Sequence, residues 1–172
     1  MFTQPKEGEY NTFFGRYVKQ VPTGDVRDVL AQSLKNTTLL LSDVTEDQAN
    51  YRYAPGKWTL KEVLGHMSDT ERIMSYRLLR IARGDQTPLP GFDEDALTSG
   101  ASFNDCSWSD LLEDYAAVRA ATLTLLRSLS EDAWSRMGIV SGNDTSARAL
   151  AYVIAGHELH HLNVIKERYL SL

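Results

Sequence analysis

Apolar residues recur at intervals of three and four through four long windows of this chain, and that period leaves little room for anything but helices. Around residues 24–44 it is carried by Val26, Val29, Leu30, Leu34, Leu40, Leu41 and Val44. A second helix announces its own start. Thr59-Leu60-Lys61-Glu62 reads as a capping box, with Trp58 and Val63 placed as a hydrophobic staple around it. It runs to about Arg83, where Gly84 supplies the stop. A third helix begins near Ser107 or Ser109 and turns Leu111, Leu112, Tyr115, Val118, Leu123 and Leu126 inward. The fourth starts after "GNDTS" and runs nearly to the C-terminus. The stretches "TEDQA" and "SEDAW" add single helical turns, and no segment reads as a convincing strand.

The expectation is therefore an all-α protein, a four-helix bundle in one domain over residues 1–172. The connection from Gly84 to about Ser107 is long for a bundle. It is read either as an ordered crossover or as a functional loop, and the two are compatible. The aromatic residues Tyr10, Phe13, Phe14 and Tyr17 form an N-terminal arm that is expected to pack across the bundle's own surface.

Composition narrows the function. A net charge of −5 and the absence of a Lys/Arg run argue against nucleic-acid binding. No apolar stretch is long enough to span a bilayer, and the first residues lack the apolar segment of a signal peptide, so a cytoplasmic location is expected. The single cysteine, Cys106, excludes an internal disulfide and a cysteine-rich zinc site. Its simplest reading is a small buried or idle residue.

Chemistry concentrates in the histidines. His157, His160 and His161 lie within "HELHH", and His66 is the fourth. At about 100° per residue, His157 and His161 fall about 20° to either side of the centre of the face made by Leu150, Val153, Ile154, Val164 and Ile165. His160 and Glu158 lie about 80° away on opposite flanks. Two imidazoles pointing into a core from adjacent turns need partners, and a divalent cation accepts both lone pairs. His66 flanks the apolar face of Val63, Met67, Met74, Leu78 and Ile81, and is the natural third ligand. The simpler alternative is three hydrogen-bonded core histidines. Glu158, His160, Asp69 and Arg72 are candidates to assist the ligands, although solvent-facing charge is the plainer reading of each.

Two other metal readings are weaker. H-E-x-x-H resembles the zinc helix of metallopeptidases, with Glu158 as base. That site takes a third ligand beyond the motif, and the eleven residues after His161 contain no histidine. A di-metal carboxylate site needs two E-x-x-H strings and two more inward carboxylates, but the residue three before His66 is Val63.

These residues also carry a family resemblance. "FFGRYVKQVPTGDV", "YAPGKWTLKEVLGHMSDTERIMSYRLLRIARGD", "PLPGFDEDA" and "HELHHLNVIKERYL", in this order, resemble the DinB-like superfamily, in the branch that includes the YfiT-type proteins. The resemblance implies a four-helix bundle holding one divalent metal, commonly nickel or zinc, on residues matching His66, His157 and His161. Some relatives carry a carboxylate at the position of His157. The resemblance further implies a thiol-dependent transferase or isomerase that uses a low-molecular-weight thiol, no direct contact with DNA, and often a homodimer. Three neutral histidines would leave a metal open positions at which a thiol or water is activated towards a small-molecule substrate. The competing expectation is a non-catalytic bundle, tied together by metal and acting as a stress-response binding module. Neither the metal nor the thiol is named by the sequence, because imidazole suits several transition metals.

Overall fold

The computed structural model describes residues 4–170. Seven α-helices and one β-hairpin follow in order: α1 (Thr12–Val18), α2 (Val26–Leu41), α3 (Glu46–Ala49), α4 (Leu60–Ala82), α5 (Glu94–Gly100), α6 (Trp108–Arg127), β1 (Met137–Val140), β2 (Asn143–Ser146) and α7 (Ala147–Arg168). The four long helices are those read from the periodicity. Their starts are set by side chains that accept orphan N–H groups: Asp25, Thr59, Ser107 and Ser146. The capping box at α4 is complete, with Glu62 N–H donating to Thr59 Oγ1 at 3.0 Å and Thr59 N–H to Glu62 Oε2 at 2.7 Å. "TEDQA" forms α3, and "SEDAW" lies in a 3-10 turn, Glu131–Ser135.

The all-α expectation needs correction. "MGIVSGNDTS" folds as a two-stranded antiparallel hairpin in which Met137 pairs with Ser146 and Val140 with Asn143. Ser141 and Gly142 both adopt positive φ, 50° and 78°, the left-handed pair that a tight two-residue turn requires. Four-residue strands with mixed polarity give no period long enough to read. The molecule is mostly helical, with one small sheet.

Side-chain packing gives the helix directions. One core cluster gathers Leu30, Met74, Leu78, Ile81, Leu126, Leu150, Val153 and Ile154. The other gathers Leu41, Leu60, Val63, Leu64, Leu111, Tyr115, Leu162 and Ile165. Thus α4 and α6 run one way along the bundle, and α2 and α7 run the other. Each of α2 and α4 packs against both α6 and α7. Because α4 and α6 are parallel, the chain between them has to travel back along the bundle, and this is why residues 84–107 form so long a connection. Along the way it carries α5 and a 3-10 turn, Phe103–Asp105. It is pinned at the hairpin, where Leu89 N–H donates to the Ile139 carbonyl and Ser141 N–H to the Leu89 carbonyl, each at 2.9 Å.

Phe13, Phe14 and Tyr17 of the aromatic arm lie on α1, and Tyr10 precedes it. Phe14 and Tyr17 are buried in the core with residues of α7, while Phe13 remains exposed. No helix among the described residues is long and apolar enough to cross a membrane.

Candidate metal centre

Between the two apolar clusters the bundle interior turns polar, and the histidines lie there. α4 supplies His66, and α7 supplies His157 and His161 one turn apart. His157 Nε2 stands 3.1 Å from His66 Nε2 and 3.1 Å from His161 Nε2. One donor nitrogen from each ring lies within 4.8 Å of the others. With metal–nitrogen bonds of roughly 2.0–2.1 Å, a 3.1 Å separation subtends an angle of about 95–100°, between octahedral and tetrahedral values. The three rings fit a single small cation.

Burial also sets their charge. It pushes His66 down to about 4 and His161 down to about 3, the latter helped by the neighbouring His66, His160 and Arg16. His157 is held well below its ordinary value by burial and by the flanking imidazoles. At neutral pH all three are uncharged and offer lone pairs, as ligation requires. Aromatic rings wall them in, with Trp58 4.7 Å from the His66 ring and Tyr17 5.3 Å from the His157 ring.

The two ligand-bearing helices reach this arrangement by close approach. Gly65 precedes His66, and a Cβ on it would strike the Phe103 ring. Gly156 precedes His157, and a Cβ there would overlap the Tyr17 backbone carbonyl. Each glycine lets a neighbouring segment close over the turn that carries a ligand.

Glu158 is not solvent-facing, and it does not join the histidines. It is 2% exposed and accepts hydrogen bonds from Thr37 Oγ1 (2.8 Å), Arg119 Nη1 (2.7 Å) and the Tyr115 hydroxyl. Arg119 also grips Glu71 through Nε and Nη2, at 2.8 and 2.7 Å. Burial alone would lower the Arg119 pKa, but the Glu71 and Glu158 carboxylates outweigh it and raise it. Glu158 is thus committed to a buried ion pair rather than poised as a base. A void of about 10 Å³, room for roughly one water, separates this network from His157.

The other candidates fall outside the cluster. His160 is exposed and edges the Tyr17 and His161 rings at 5.9 and 5.1 Å. Asp69 and Arg72 lie on the outer side of α4. There Arg72 Nη1 donates to Asp69 at 3.2 Å and Arg72 also pairs with Asp114. Cys106 is exposed rather than buried, with its thiol 3.6 Å from the Ser102 carbonyl.

Sequence reading misses Arg119 and Glu71. A signal existed: Arg119 follows Tyr115 by four, and Glu71 lies four after Met67 and three before Met74, so each interrupts an apolar face.

Two cavities open beside the ligands. One of about 470 Å³ reaches His157 and is lined by the arm, α4 and residues 91–94. Another of about 390 Å³ reaches His161 between Trp58, Lys57, Asp95 and Tyr169. The arm borders the first of these spaces, and the long connection borders both, through residues 91–94 and Asp95.

Residues 30–165 match the family model of the DinB superfamily. The chain belongs to the DinB superfamily. Among solved structures it resembles YfiT from Bacillus subtilis, described as a "probable metal-dependent hydrolase with an unusual four-helix bundle topology". The TM-score is 0.71 at 19% identity, over 95% of this chain and 89% of that one. It also resembles a mycothiol-dependent maleylpyruvate isomerase, with a TM-score of 0.63 at 17% identity, over 84% of this chain and 61% of the other. A DinB-like protein from Bacillus subtilis, YjoA, gives 0.62 at 17% identity, over 86% and 91% of the two chains. No curated protein sequence matches significantly. At these identities the likeness concerns the fold alone.

Proposed function

We propose that this DinB-superfamily protein is a metal-dependent enzyme that activates a low-molecular-weight thiol, or water, for attack on a small electrophile. The observation that carries this reading is the convergence of three neutral imidazoles, two buried and one half-buried, beside two cavities. A divalent cation held there, nickel or zinc as the family resemblance implies, would supply a Lewis acid that lowers the pKa of a thiol or water beside it.

The chain's own residues do the rest. His66, His157 and His161 are uncharged, so they neutralise none of a cation's charge. Trp58 and Tyr17 cover two of the rings and limit access of bulk water. The two cavities give separate approaches, one past His157 and one past His161, which suits a reaction of two small partners. Support for metal and thiol chemistry also comes from relatives of the same fold, one described as a "probable metal-dependent hydrolase" and one as mycothiol-dependent.

Elemental analysis of the tag-free protein beside His161→Ala tests the ligand set. About one metal per chain in the first and loss in the second is the expected result. Turnover of a chromogenic electrophile with bacillithiol, mycothiol and glutathione, and of activated esters without thiol, tests the chemistry. A protein that holds its metal but turns over none of these is the non-catalytic bundle instead.

A further inference from the structure

Among the described residues two guanidinium groups are buried, and only one of them has counter-charges. Arg119 is 0% exposed and meets Glu71 and Glu158. Arg77 is 3% exposed, and no carboxylate among the described residues pairs with it. Its Nη2 donates to the Pro90 carbonyl at 2.5 Å, its Nη1 reaches Met74 Sδ at 3.5 Å, and the Phe92 ring lies 5.2 Å from its Cζ. These contacts use a minority of its five N–H donors and none of its charge. Burial lowers its pKa with no acid to offset the effect. A guanidinium desolvated in this way is stabilised by an anion from outside the chain.

Arg77 lines the same cavity of about 470 Å³ that His157 lines. Thr70, Met74 and Arg77 form one face of α4, spaced four and three apart, and span roughly 10 Å of helix rise. Val153 and His157 face the same space from α7, and Phe14 and Phe92 add apolar wall. The cavity is therefore polarised: a buried positive charge, an apolar middle, and a candidate metal ligand.

We propose that this cavity binds a small molecule bearing a carboxylate, with Arg77 as the anchor and the apolar walls holding its body. Its opposite end then points to the cation position, a feature that rests on the metal reading above. Asp93 and Glu94 also line the cavity, but both are exposed. The Asp93 carboxylate accepts the Ala96 N–H at 3.0 Å as the cap of α5. Solvent screens these two, whereas the charge of Arg77 acts across a desolvated wall. The ligand class that fits is an aryl or alkyl carboxylic acid rather than an amine or a neutral amide.

The test compares phenylacetate with phenylacetamide, nearly equal in shape and different in charge, by titration calorimetry on the protein as purified. Wild type is expected to prefer the acid by on the order of tenfold or more. In Arg77→Gln, which can still donate to Pro90, the preference should shrink to about twofold or less. Equal affinity in wild type overturns the proposal. So does a preference that survives in Arg77→Gln, because it would place the carboxylate on the cation. If Arg77→Gln does not fold, Arg77→Met decides, since it removes the charge and fills the same space with an apolar side chain. A reduced preference there supports the anchor, and an unchanged one overturns it. Metal content measured on the same samples separates either result from failure of the metal site.

Discussion

The backbone carbonyl of Tyr17 lies against the Cα of Gly156, in the space a methyl group would need. This contact seats α1 on α7 one residue before His157 and sets the Tyr17 ring against that imidazole. Gly156→Ala gains about 1 kcal/mol of helix propensity but forces the arm away. A net loss of roughly 1–3 kcal/mol is expected, as for overpacked cores. Urea denaturation measures it. A variant as stable as wild type would mean that the arm is not held by this contact.

The metal-free protein should lose stability on mild acidification. Burial holds His66, His157 and His161 neutral in the folded state, with His66 down to about 4 and His161 down to about 3. In the unfolded chain they protonate near their ordinary value, so between these limits the unfolded state binds more protons. Stability is complete above about pH 6.5 and falls as the pH drops through it, by about 1.4 kcal/mol per unit for each histidine. For His66 the loss levels off near about 4. Urea midpoints at about pH 7.5 and about pH 5.5 check this, and equal midpoints would contradict it.

Arg119 holds two buried carboxylates at once, so removing it leaves both without the cation that neutralises them. Arg119→Met should cost roughly 3–5 kcal/mol, while Tyr115→Phe, which removes one donor to Glu158, should cost about 1–2 kcal/mol. Chemical denaturation of the two variants gives the comparison. If Arg119→Met were the milder, the network would not be a supporting element.

Metal removal should loosen the α4–α7 pair, because its proposed ligands come from both helices. A cation free at a hundred times its Kd adds about 2.7 kcal/mol to the folded state, so chelation should lower Tm visibly and re-addition should restore it. Arg72→Ala breaks only exposed pairs with Asp69 and Asp114. It should shift stability by less than about 1 kcal/mol and leave the metal response intact.

The legibility of this protein follows from the range of the interactions involved. The capping box at Thr59–Glu62 and the caps at Asp25, Ser107 and Ser146 act within one turn, so their residues announce helix starts directly. The projection of His157 and His161 from one face is equally local, a consequence of helical pitch. The hairpin after α6 escapes such a reading because strands of four residues carry too little pattern and gain their stability from pairing.

The sequence alone determined the four long helices, the unusual length of the connection after α4, and the three histidines that face the interior. Each depends on periodicity or on neighbours within a few residues. Only tertiary structure decided that α4 and α6 run parallel, that Glu158 belongs to Arg119 rather than to the histidines, and that Arg77 borders a cavity while pairing with no carboxylate among the described residues. Periodicity says which residues share a face, but not which other face will meet them. That choice is made when the helices pack, and it separates a carboxylate paired with Arg119 from a guanidinium that lines a cavity.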